Sequence, residues 1–137
     1  MQKMNIDRYT KYLKPLFEFI RDKFNVDVEY PKVVLHTKKQ DCEPILVKTG
    51  YFDPNTNKIH LFLRDDGGNR CAKDLYRSFA HELIHFFQQA KGDIDKSGYT
   101  GDKITEDEKL IRLEAEAYLK GNMYFRQFTE TLEKKKK

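Results

Sequence analysis

The chain has no tryptophan, only two cysteines and four prolines, and no apolar run near the roughly 20 residues of a membrane span. Cys42 and Cys71 stand far apart and form no Cys-x-x-Cys pair. That excludes a cysteine metal cage and suits a chain kept reduced. The first residues lead into an amphipathic stretch and contain no signal-peptide core, so a cytoplasmic location without a membrane partner is expected. Net charge is scarce too. Of 26 basic residues against 22 acidic ones, four are the closing lysines Lys134 to Lys137, so residues 1–133 balance to zero. Nucleic-acid binders cluster Lys and Arg on a structured surface, and a neutral body predicts no nucleic-acid partner. The tail at 134–137 reads as a solvated appendage on one domain spanning 1–133.

What the chain does hold is bulky core material. Ten Phe and eight Tyr among 137 residues, with 39% hydrophobic residues overall, are enough to build one core and argue against disorder. Ile6, Tyr9, Leu13, Leu16, Phe17, Ile20 and Phe24 recur at helical spacing, and Pro15 predicts a kink or a fresh start near Lys14. Val26 to Tyr30 alternates like a strand, and Val33 to Leu35 offers another. Ile45 to Phe52 and Lys58 to Leu63 flank the turn cluster Asp53-Pro54-Asn55-Thr56-Asn57, which predicts a hairpin. A long helix should then run over about 71–91, closed by Gly92. Residues 92–104 are polar and carry three glycines, so they read as a loop. Thr105-Glu106-Asp107-Glu108 has the form of a capping box opening a last helix to about 131. The expected class is α+β: an N-terminal helix, a small, mostly antiparallel sheet, and two long helices.

Chemistry concentrates in His81-Glu82-Leu83-Ile84-His85. On a helix, positions i and i+4 lie one turn apart, about 6 Å along the axis, and point the same way. Two imidazoles so placed can meet one zinc ion at about 2.0–2.1 Å. Glu82, on the neighbouring line, can reach a water held by the metal and take its proton. The plainer alternative is an amphipathic helix whose histidines face solvent. Against it, Tyr76, Ala80, Ile84 and Phe87 extend apolar character beyond the main stripe, as on a helix enclosed on several sides.

Zinc in a catalytic site takes three protein ligands. Gln88 and Lys91 occupy the places where a third histidine motif would continue, and His36 and His60 read as ordinary strand residues. On the last helix, Leu110, Glu114, Ala117, Gly121, Tyr124 and Phe128 follow one line, with Ile111, Tyr118 and Phe125 beside it. Glu114 is the single charge on that buried face. A buried carboxylate needs a partner, either the metal or a buried Arg or Lys. Glu116 shares its line with Lys109, Arg112, Lys120 and Gln127, a solvated face, and is the fallback ligand.

Phe79 to His85 resembles the active-site helix of the zincin metallopeptidases whose third ligand is a glutamate on a later helix. Glu114-Ala115-Glu116-Ala117 is similar to the ligand segment of the small bacterial and phage peptidases of the ImmA/IrrE type. The resemblance implies a zincin fold, zinc held by His81, His85 and Glu114, Glu82 as general base, and a protein or peptide substrate along the sheet edge. The hairpin from Gly50 to Ile59 looks like the one preceding the helix in those proteins. Where that family has Asp or Asn to brace a zinc histidine, this chain has Tyr118, so its hydroxyl or another acid is expected there. Tyr118 and Tyr99 are the candidate oxyanion donors, and the 92–104 loop is a candidate flap. Two rival functions remain: a non-catalytic zinc module with a regulatory or assembly role, and a DNA-associated protease of the SprT type.

Overall fold

The computed structural model describes residues 7–37, 50–65, 68–91 and 103–135. Its elements are α1 (Asp7–Thr10), α2 (Leu13–Phe24), β1 (Lys32–His36), β2 (Gly50–Asp53), β3 (Lys58–Phe62), β4 (Arg64–Asp65), β5 (Gly68–Asn69), α3 (Ala72–Ala90) and α4 (Lys103–Lys135). The α+β class holds. The three-stranded sheet has the order β1-β3-β2, and β4 and β5 form a short antiparallel pair.

The hairpin forms where turn chemistry predicts it. β2 pairs antiparallel with β3, the Asn55 amide donates to Asp53 Oδ1 at 3.0 Å, and Asn57 takes the left-handed conformation at φ 59°. Those amide bonds also hold the Asp53 carboxyl below its ordinary pKa. β1, however, lies parallel to β3, which makes the sheet mixed and not mostly antiparallel. Residues 26–30 are not a strand. Val26 and Val28 pack on the core as their alternation requires, but the backbone has no ladder partner among the described residues.

The N-terminal stretch makes a fresh helix start at Leu13, within a residue of where Pro15 predicts it. A turn at residues 11–12 separates α1 from α2, and Pro15 sits in the first turn of α2, where its missing amide is tolerated. α3 matches its expected span and is the central element, with Leu75, Phe79, Ala80, Leu83, Ile84 and Phe87 all buried. Leu16, Phe17 and Ile20 of α2 join the same core as Ile59 and Leu61 of β3. Phe87 stacks between Phe17 and Phe24 at centroid distances of 5.7 and 5.1 Å.

α4 begins at Lys103, so Thr105 lies inside the helix and is not its cap; the helix also runs past 131, taking in Lys134 and Lys135 of the lysine run. Gly92 and most of the 92–104 loop, with Tyr99, lie outside the described residues. The buried line of α4 is Leu113, Ala117, Gly121, Phe125 and Phe128. That is rotated from the expected face: Ile111 is 68% exposed and Tyr118 63% exposed. α4 packs on α3 closely at Gly121, where a Cβ would meet His81 Cα at 3.2 Å and His81 N at 3.3 Å.

Candidate metal centre

α3 presents His81 and His85 on successive turns, and α4 brings Glu114 against them. His85 Nε2 stands 2.7 Å from one Glu114 oxygen and His81 Nε2 3.5 Å from the other. The three donor atoms all lie within 4.8 Å of one another. Two atoms each about 2.0–2.1 Å from one tetrahedral ion stand roughly 3.3–3.4 Å apart, so this spacing fits a single divalent cation. Imidazole and carboxylate donors suit zinc, whereas magnesium favours a shell of oxygens. Glu114 is not the deeply buried charge its sequence line predicts. Its side chain is 45% exposed, at the margin of the α4 core face, which leaves a solvent-facing side to the cluster.

Gln88 organises the cluster from beneath. Its side-chain nitrogen donates to the Leu113 carbonyl at 3.0 Å and to a Glu116 oxygen at 2.8 Å. Both amide protons being so engaged, Gln88 Oε1 is the acceptor 2.8 Å from His85 Nδ1. His85 therefore donates from Nδ1 to Gln88 and turns Nε2 toward Glu114, the ring orientation a metal ligand needs. The brace expected from Tyr118 or an acid is thus a neutral amide on α3 itself. The sequence held a signal for it, since Ser78, His81, His85 and Gln88 share one line of the helix, and Gln88 is completely buried.

Glu116, the fallback, lies outside the three-residue cluster and is not on a fully solvated face. It accepts from Gln88 and from Lys120 Nζ at 2.7 Å, and these bonds hold its carboxyl below the usual range although burial opposes them. Tyr118 lays its ring against His81, with centroids 4.4 Å apart, and braces neither histidine among the described contacts. Burial, with His85 adding to it, holds His81 below the ordinary histidine pKa, against the pull of Glu114. The neutral, ligating form is thereby favoured at neutral pH.

Glu82 faces the other way, toward the sheet. Only 8% of it is exposed, and burial, reinforced by the charge of Glu114, pushes its carboxyl up to about 8. The Phe52 amide of β2 donates to it and opposes that rise. Gly50 lies alongside: a Cβ there would make an ordinary 3.8 Å contact with Glu82 Cγ, and its close approach, 2.8 Å, would be to the His60 carbonyl of β3. A buried carboxyl so shifted, next to a metal-type cluster and under a strand that is at the sheet edge among the described residues, can exchange a proton near neutral pH.

His36 and His60 form a separate assembly on the sheet. Their ring nitrogens lie 2.9 Å apart, with His36 stacked on Phe62 and His60 on Tyr51. They belong to no group of three metal-type ligands among the described residues. Arg70, which sequence reasoning did not single out, is buried and structural: its guanidinium donates to the Phe62 carbonyl, to Asp74 and to Ser78. No helix among the described residues is long and apolar enough to cross a membrane. No family model, curated protein or solved structure matches the chain. The functional reading accordingly rests on the residues of the site.

Proposed function

We propose that the chain is a zinc-dependent peptidase with a zincin-like fold, in which His81, His85 and Glu114 hold the metal and Glu82 is the general base. One observation carries this reading. Two imidazoles a helical turn apart and a carboxylate from a second helix converge within 4.8 Å, next to a buried glutamate on the same turn of α3. The similarity of Phe79 to His85 and of Glu114 to Ala117 to the zincins supports peptide as the substrate class.

Zinc bound there supplies Lewis acidity, polarising a carbonyl and making water acidic near neutral pH. The remaining steps fall to the chain. Gln88 fixes the proton of His85 on Nδ1, so that Nε2 is free to ligate. With a cation held by His81, His85 and Glu114, the charge of Glu114 would be offset and Glu82 would move toward its ionised form. The Glu82 carboxylate then accepts the proton of the attacking water and returns it to the leaving amine. Among the described residues β2 is at the sheet edge and its Phe52 amide meets Glu82, so an extended substrate pairing with that edge lies beside the base. Tyr118, exposed beside His81, is the described candidate for the oxyanion donor.

The enclosure of Glu82 also favours a second reading, a zinc-holding regulatory module without turnover. Glu82→Gln separates the two. The peptidase reading expects close to one zinc per chain in both proteins by metal analysis, with hydrolysis of an unfolded protein substrate falling about 10²–10⁴-fold in the variant. Zinc content that survives Glu114→Ala would remove the proposed ligand set. A wild-type protein that holds zinc but cleaves nothing would leave only the regulatory module.

A further inference from the structure

The metal cluster is formed between α3 and α4. Lys73, Arg77, His81 and His85 follow one line of α3, each about 6 Å beyond the last. α4 runs antiparallel to α3: Leu113 and Glu116 meet Gln88, Gly121 meets His81, and Phe125 meets Arg77. Beyond the close contact of Gly121 with His81 the two helices border a cleft of about 460 Å³, lined by Lys73, Arg77, Asn122, Phe125, Arg126 and Thr129.

Three cations border this cleft in a body with no net charge. Arg77 rests over the Phe125 ring at 5.8 Å, which orients its guanidinium. The one carboxylate described beside them is Glu130, 3.5 Å from Arg126 Nε, with both side chains largely exposed. Lys73 and Arg77 have no carboxylate partner among the described residues. Like charges gathered along two turns repel one another, and an anion laid between them relieves that repulsion.

We propose that this cleft is a subsite for a carboxylate of the peptide substrate, an acidic side chain or a chain end, held by Lys73, Arg77 and Arg126. Its register rests on the peptidase reading; its affinity for carboxylate does not. Arg77 and Lys73 lie about 6 and 12 Å along the axis from His81. An extended peptide advances about 3.3–3.6 Å per residue. The carboxylate therefore sits two to four residues from the scissile bond.

The test uses zinc-loaded Glu82→Gln protein and labelled ten-residue peptides with amidated ends. One carries three glutamates, one carries glutamines in their place, and a third is the glutamine peptide with a free C-terminal carboxylate. Ten-residue oligothymidylate is the fourth probe. The glutamate peptide should bind at least tenfold tighter than its amidated glutamine counterpart by fluorescence anisotropy. That difference should vanish in the added Lys73→Gln/Arg77→Gln background and in about 0.5 M salt. Tight binding of the free-acid peptide alone would assign the cleft to chain ends. Equal binding of the glutamate and both glutamine peptides overturns the subsite, as does binding of the oligonucleotide with neither carboxylate peptide.

Cleavage-site profiling of a peptide library with the wild type then separates the two proposals. Cutting without an acidic preference two to four residues away removes the subsite and spares the peptidase. Carboxylate-dependent binding without any cutting does the reverse. Should the double variant fail to fold by circular dichroism, the salt series on the unmodified cleft and Arg126→Gln decide the matter.

Discussion

Glu82 is the residue whose environment most opposes its charge. In the metal-free chain it holds its proton up to about pH 8, against an ordinary value of 4.5. Below about pH 4.5 the folded and unfolded chains both carry that proton, and the stability linked to it is fully present. Between 4.5 and 8 only the folded chain keeps it, so stability falls as pH rises, and above about 8 it levels off. Wild-type protein in chelator should therefore lose a few kcal/mol across that window relative to Glu82→Gln, which has nothing to titrate there. Urea unfolding at pH 5, 7 and 9 reads this directly; parallel profiles for the two proteins would refute the burial account. The same residue shows what a sequence conveys at this scale. Spacing places Glu82 beside the histidines, whereas its enclosure depends on β2, whose Phe52 amide meets it from thirty positions away.

The α3–α4 pair decides whether the histidines and Glu114 stay together. Gln88 staples it from within, tying His85 to the Leu113 carbonyl and to Glu116. Gln88→Leu keeps the volume but leaves those groups without their partner. It should cost about 1–3 kcal/mol in thermal or chemical unfolding, and zinc affinity should drop 10–100-fold in chelator competition. Unchanged affinity would show that His85 needs no brace. Helical periodicity located both elements, and α3 to within a residue. It placed Ala117, Gly121, Phe125 and Phe128 on the buried face of α4 correctly but put Ile111 and Tyr118 there in place of Leu113, because Ile111 is as apolar as Leu113 and only the neighbour's position settles which is covered. Hydrophobicity alone could not choose between two adjacent stripes.

Across the whole molecule, a cation at the α3–α4 junction would link the last helix to the α3-centred core. Zinc at a hundred times its dissociation constant stabilises such a protein by about 2.7 kcal/mol. For a domain of this length that raises the melting midpoint by roughly 10 °C. Chelation should remove that gain, zinc should restore it, and magnesium should not; a midpoint indifferent to all three would argue against a metal at this junction. The amino-acid order alone determined the local features. These are the turn at 53–57, the span of α3, the i, i+4 histidines, and a carboxylate one helix later, because each depends on neighbours within a few residues. Tertiary packing decided the rest. It set β1 parallel to β3, left residues 26–30 without a ladder partner among the described residues, moved Glu114 to the margin of the core, made Gln88 the brace, and gathered Lys73, Arg77 and Arg126 round one cleft. These outcomes turn on which distant surfaces meet, and the free energy of burying one stripe against another is not written in either stripe alone.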